Sequence, residues 1–152
     1  MSTWNDLADA IAAQLRTLSV MAGVDVIVDR QKSISSEVDA AVGKAKGACV
    51  TILYERAEIT ADARPMVTRP SYSIRLYTVP VIRDNDHAAI AADDILEALL
   101  PALHDWHPDP AAHTSHRLKV TSDPDLLPDR HYLIYEFTVT GLTALPEPYF
   151  LS

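Results

Sequence analysis

The chain has 152 residues, of which 48% are hydrophobic and 22% charged, a composition typical of a folded globular protein and not of a disordered one. Its length predicts a single α+β domain over residues 1–152. No apolar stretch approaches the roughly 20 residues that span a bilayer, and residues 1–6 lack the pattern of a signal peptide. The one cysteine, Cys49, excludes an internal disulfide and indicates a reducing, intracellular setting.

The charge is acidic overall and unevenly spread. The net charge of −8 disfavours general binding to nucleic-acid phosphates. Residues 1–83 carry 10 Lys/Arg against 9 Asp/Glu, whereas residues 84–152 carry 3 against 12. Two interpretations stay open for the acidic part. It forms either a solvated face that aids solubility or a surface that meets a basic neighbour or repels DNA.

The first part of the chain alternates helical and extended patterns. Apolar residues recur at helical spacing over 3–19 and predict an amphipathic helix. Alternating valines and acids over 24–29 predict a short strand. Residues 35–46 predict a second, weaker helix, whose length is limited by Gly43 and Gly47.

A pair of strands follows. The β-branched run over 49–55 and the alternating run over 71–79 both predict strands. About fifteen residues rich in Arg, Ala and Pro separate them, and a loop of that length is often functional or mobile. The same segment is also compatible with an extended hairpin arm.

Four side chains in and beside this segment are candidates for a partner or subunit interface. Arginine is favoured at protein interfaces, and a methionine supplies an adaptable apolar contact. The alternative is an ordinary exposed loop. The candidate residues are Arg56, Arg64, Met66 and Arg69.

The last part of the chain predicts a long helix and two strands. The helix covers about 86–104, with Pro101 expected to kink it or to start a new turn. Strands are predicted over 117–121 and 132–140, and 143–152 is predicted to be an irregular tail. The element order predicts a single mixed or antiparallel sheet of about four to five strands with helices packed mainly on one face.

The sequence contains one cluster of side chains that could bind a metal or take part in catalysis, and it consists of histidines. It comprises His104, His107, His113 and His116, and imidazole is the commonest zinc ligand. Structural zinc sites usually include Cys, however, and this segment has none. A polar surface loop is the favoured interpretation, with a metal site or a pH-sensing cluster as alternatives. We therefore predict no metal and no cofactor.

Catalytic motifs are missing from the sequence. It contains no glycine-rich phosphate loop and no nucleophile elbow. Asp93 and Asp94 are adjacent on a predicted helix, so their side chains point about 100° apart and cannot share a proton. Cys49 lies within an apolar strand, where a thiol is inert. We predict no catalytic residue and no enzymatic activity.

Three stretches together resemble a known family. They are the opening helix at 10–15, the strand at 72–77 with the acidic turn and helix that end at 101, and the closing strand at 132–137. In element order and local pattern the chain resembles tail terminator (tail completion) proteins of long-tailed bacteriophages. The resemblance covers most of residues 3–142, but neither the loop at 107–116 nor the proline-bearing tail.

The resemblance implies a fold, a function and a set of partners. Such proteins have a sheet flanked by helices and form rings, typically hexamers, that cap the tail tube and join it to the head. The implied partners are further copies of the chain, the tail tube protein and head–tail connector proteins, with no sequence-specific nucleic acid and no membrane. The implied location is the tail or neck of the virion, assembled in the bacterial host cytoplasm.

Two other functions stay open at this point. One is a different phage neck, head-completion or minor tail protein. The other is a small metal-binding enzyme that uses the histidines of the 104–116 segment.

Overall fold

The fold consists of helices and strands of one mixed sheet. The structure is a computed structural model and describes residues 3–30, 34–43, 47–61, 66–79, 92–108 and 117–145. The helices are α1 (Thr3–Arg16), α2 (Ser35–Val42) and α3 (Ala92–Leu103), with a short 3-10 helix at Ser19–Met21. The strands are β1 (Asp25–Asp29), β2 (Ala48–Ala61), β3 (Val67–Thr78), β4 (Lys119–Val120), β5 (Asp125–Leu127), β6 (Leu133–Thr140) and β7 (Thr143–Ala144).

The sheet has the order β1-β2-β3-β6-β4. β1 runs parallel to β2, and the other pairs are antiparallel. β5 pairs with β6 on the same edge as β4, and β7 pairs with β3 beyond the end of β6. The predicted fold class is thus confirmed: the architecture is α+β, with a mixed sheet whose main path is five strands wide.

The two faces of the sheet are covered unequally. α1 and α3 pack on one face and bury the main core, whose largest side chains include Tyr72 and Phe137. α2 packs on the opposite face through a small cluster around Cys49. Helices therefore lie mainly on one face, as predicted. Cys49 is a small buried hydrophobe, as its apolar flanks predict.

The segment between the two central strands forms an extended hairpin arm and not a loop. β2 runs on to Ala61 and β3 begins at Val67, so the second of the two sequence interpretations is correct. Ile59, Thr60, Val67 and Thr68 are β-branched and favour the extended backbone. Register shifts between Tyr54 and Arg56, and between Ile59 and Ala61, are bulges that bend the arm.

Pro70 is accommodated in the arm because the neighbouring strand is interrupted there. The pairing of β3 with β7 ends at Thr68, and its pairing with β6 begins at Ser71. A residue between the two partners does not need to donate to a ladder, so the missing N–H of proline costs nothing. The Pro70 carbonyl instead accepts a hydrogen bond from the N–H of Gly141 at 3.2 Å.

The remaining differences between the sequence predictions and the structure concern the last part of the chain. The predicted helix over 86–104 is described only from Ala92, because 80–91 lies outside the described residues, and Pro101 lies within α3. The tail predicted to be irregular begins with β7, and the N–H of Leu145 donates to the Met66 carbonyl at 2.8 Å. Hydrogen bonding to β3 therefore orders the start of this tail.

Candidate interaction site on the open face of the sheet

Among the described helices, α2 alone packs on the second face of the sheet, and it covers one end of it. There Cys49 and Tyr77 pack against α2, and Ile134 and Leu127 continue the same row of paired residues across the sheet. The Tyr132 hydroxyl donates a hydrogen bond to the Asp39 carboxylate of α2. This hydrogen bond raises the pKa of Tyr132 to about 12. Beyond this end no described helix covers the face, which we call the open face.

The centre of the open face carries an ion pair. Arg75 on β3 lies opposite Glu136 on β6, and Arg75 Nε donates to Glu136 Oε2 at 2.6 Å. Partial burial tends to raise the pKa of Glu136, but the hydrogen bond from Arg75 and the positive charge of its guanidinium lower it below its usual range. Burial likewise tends to lower the pKa of Arg75, but its hydrogen bond to the Glu136 carboxylate outweighs this and raises it. The pair stays ionised at neutral pH.

The end of the open face beside the arm is basic. Arg56, Ser71, Thr140 and Lys119 lie in register across β2, β3, β6 and β4, and we call them the basic row. Adjacent strands are about 4.8 Å apart, so the two cations at its ends have Cα atoms roughly 14 Å apart. Two hydroxyl groups lie between them. A row of this kind suits a partner that carries carboxylates.

The basic row lies in a groove of about 940 Å³. Among the residues that line it are four cations, Arg56, Arg69, Arg117 and Lys119, against two acids, Glu58 and Asp105. The Arg117 guanidinium is already engaged, because it donates to the Asp105 carbonyl at 3.1 Å and lies 3.5 Å from its carboxylate.

The other three cations of the groove are available to a partner. Arg56, Arg69 and Lys119 form no side-chain hydrogen bond and no ion pair with any residue that the structure describes. Glu58 lies opposite Arg69 in register and offsets part of its charge. The groove is thus a local region of positive charge on a chain of net charge −8.

The structure brings together two of the four residues that the sequence singles out. Arg56 and Arg69 are exposed and line the groove from β2 and β3. Met66 is half-buried, directly precedes β3 and does not line the groove. Arg64 lies outside the described residues. Sequence reasoning missed Lys119, whose only local signal is its place in a predicted strand.

The arm is anchored to the first helix along its length. The rings of Trp4 and Tyr54 stack with centroids 5.2 Å apart and planes 16° apart. Trp4 Nε1 donates to Thr68 Oγ1 at 3.2 Å, and Thr68 Oγ1 also lies 3.2 Å from Thr143 Oγ1. These contacts hold α1, β3 and β7 together, so the groove is supported by packed elements and is positioned by the core.

The described histidines are not arranged as a metal centre. His104 Nδ1 accepts a hydrogen bond from the Val120 N–H at 3.2 Å, which places the proton of a neutral ring on Nε2. His107 Nδ1 donates to the Pro108 carbonyl at 2.6 Å, and its Nε2 forms no hydrogen bond with a described residue. His113 and His116 lie outside the described residues. Within the described ranges, no three His, Cys, Asp or Glu side chains cluster closely enough to hold a metal ion.

Comparisons with known proteins add no further assignment. No protein-family model matches the chain, and no curated protein matches it either. None of the helices in the described part of the chain is long and apolar enough to cross a membrane. The open face and its groove are the described feature best suited to bind a partner.

Proposed function

We propose that the protein is a structural assembly protein of the phage tail-terminator type. Identical subunits form a ring that caps the tail tube, stops its growth and joins it to the head. The tube and connector proteins are its other partners, and its place is the tail or neck of the virion after assembly in the host cytoplasm. The α+β fold, with a sheet flanked by helices, is the fold that the family resemblance implies.

The observation that carries this proposal is the open face with its cationic groove beside the hairpin arm. Guanidinium, ammonium and hydroxyl groups predominate among its lining side chains, beside two carboxylates, and such groups suit the polar surface of a protein partner. The one imidazole among the lining residues, His107, uses Nδ1 to donate to a backbone carbonyl. A surface of this composition favours assembly over catalysis.

The edges of the sheet also favour assembly. β1 pairs with β2 only as far as Leu53, so the β2 segment beyond it has no described partner on that side. Free strand edges of this length are normally covered by another segment or disrupted so that they cannot pair with a second chain. The two bulges disrupt this edge only in part. Ile59 on the arm and Leu126 on β5 are 64% and 55% exposed and lie near opposite edges. Neighbouring proteins in a tail assembly would cover both.

The alternatives receive different support. Another neck, head-completion or minor tail protein would use the same surfaces, and the fold is equally compatible with it. An enzyme that uses a metal at 104–116 is less well supported. His104 must give up its bond to the backbone of β4 before either of its ring nitrogens can bind a metal.

Light scattering of the purified protein tests the proposal. The mass is measured over a roughly hundredfold concentration range, because assembly follows mass action. We expect a discrete ring-sized species, or a monomer that assembles as the concentration rises. Electron microscopy with tail tubes should then show rings at tube ends and tubes that no longer elongate. A monomer that leaves tube growth unchanged would contradict the proposal.

A further inference from the structure

We infer that the groove at the basic row of one copy binds the acidic stripe of α3 on a second copy. The acidic stripe is the exposed side of α3 and comprises Asp93, Asp94 and Glu97. The inference rests on the proposed ring and names the contact between its subunits. Charge complementarity between two different surfaces of the same chain is the basis for it.

The acidic stripe is a ready partner for cations. Ile95, Leu99 and Leu103 of α3 are buried against the core, so the stripe faces away from it. Its three carboxylates form no hydrogen bond or ion pair with any described residue. The sequence from 84 to 116 contains no Lys or Arg, so no cation from this helix neutralises them.

The groove offers what such a stripe requires. Arg56 and Lys119 carry charges that no described residue neutralises, and Ser71 and Thr140 supply hydroxyl donors between them. A protein of net charge −8 repels its own copies at long range. Close association therefore needs a local region of positive charge that meets a local region of negative charge. The groove and the stripe are such a pair.

The positions of the two surfaces explain why the partner is a second copy. α3 packs on one face of the sheet, whereas the groove lies on the opposite, open face. One subunit cannot satisfy its own groove with its own stripe. Binding must proceed head to tail, with the open face of one subunit against the α3 side of the next. A repeated contact between two different patches generates a ring when the rotation closes.

Charge reversal on each side separately is the first part of the test. In R56E/K119E the groove becomes acidic and repels the unchanged stripe. In D94K/E97K the stripe becomes basic and repels the unchanged groove. Each variant alone should assemble with a dissociation constant at least about tenfold higher than that of the wild type.

Recombination of the two variants is the decisive part. In a mixture, the acidic groove of one variant meets the basic stripe of the other, and the wild-type pairing also occurs. An equimolar mixture should therefore recover the wild-type mass in light scattering, and so should a single chain that carries all four changes. Recovery cannot come from misfolded protein, so a folding defect is distinguished from a lost contact.

Two variants with the same charge change elsewhere serve as controls. R30E/R130E changes the net charge as the groove variant does, and E37K/D123K changes it as the stripe variant does. All four positions are exposed and lie outside both surfaces. Both controls should retain the wild-type dissociation constant within about twofold, because distant surface charges are screened.

Each outcome has a distinct meaning. A wild type that forms rings while R56E/K119E forms them equally well overturns this inference and leaves the proposed function standing. Loss of assembly in both variants without recovery in the mixture also overturns the pairing of groove with stripe. A wild type that stays monomeric at all concentrations, alone and with tail tubes, overturns the inference and the proposed function together.

Discussion

The hydroxyl of Tyr72 donates a hydrogen bond of 2.6 Å to the main-chain carbonyl of Trp4. The bond joins β3, at the base of the arm, to the first turn of α1. The Tyr72 side chain is fully buried, and this burial, together with the nearby Tyr54, raises its pKa, so the hydroxyl stays protonated as a donor. The base of the arm is thus fixed to the helical layer by a partly buried hydrogen bond, in addition to the contacts of the Trp4 side chain.

The variant Y72F should lower the free energy of unfolding by about 1–2 kcal/mol, because the Trp4 carbonyl loses its partner in a partly buried place. Urea unfolding measures this loss as a lower midpoint at an unchanged slope. Y135F is the matched control, since the Tyr135 hydroxyl forms no hydrogen bond with the described residues. Equal midpoints for the two variants would contradict the assignment.

The ion pair between Arg75 and Glu136 should make stability depend on pH. Because the pKa of Glu136 is lower in the folded state, its contribution is present above the unfolded pKa of about 4.3. That contribution is lost as the pH falls through the folded pKa. At pH near 7, E136Q should be destabilised by about 1 kcal/mol or less, because both partners are partly exposed and screened. The difference should vanish in acid.

Urea unfolding of the wild type and E136Q over a pH series checks this expectation. R75M and the double variant R75M/E136Q complete a double-mutant cycle that isolates the pair. A difference between wild type and E136Q that is the same in acid as at neutral pH would show that the ion pair is not its source.

Gly141 lies where β6 passes close to Leu118. A Cβ at this position would lie 2.5 Å from Cδ2 of the buried Leu118, so a larger residue forces that side chain to move. G141A should therefore cost about 1–3 kcal/mol through overpacking. The cost should be much smaller in an L118A background, which thermal or urea unfolding can measure. Strictly additive effects would exclude the steric explanation.

Removal of metal should leave the protein unchanged. We expect a chelator to have no effect on the assembled mass, and a zinc titration to show no stoichiometric binding. The reason is that His104 Nδ1 accepts a hydrogen bond from the Val120 N–H, so neither ring nitrogen of a neutral His104 offers a lone pair to a metal. In addition, no three His, Cys, Asp or Glu side chains of the described residues cluster closely enough to hold an ion. One zinc per chain that disappears in H104A/H107A would contradict this and would favour the metal-binding alternative.

Local patterns predict much of the fold because they report on burial. Helical spacing identifies the buried side of α1, and alternation identifies the two faces of β3. The arm was harder to predict, because Arg, Ala and Pro suit a loop by composition. Its extended state follows from pairing with β3 along the arm and from the gap that accommodates Pro70. Pairing with a neighbouring strand overrides weak local preference.

The sequence by itself determined the fold class, the burial of Cys49 and the uneven distribution of charge, because composition and periodicity record these directly. Only the tertiary structure decided that Arg56 and Lys119 stand at the two ends of one row. They are distant in the chain, and strand order and register bring them to the same face. Both depend on how the core packs, which no local pattern of residues encodes.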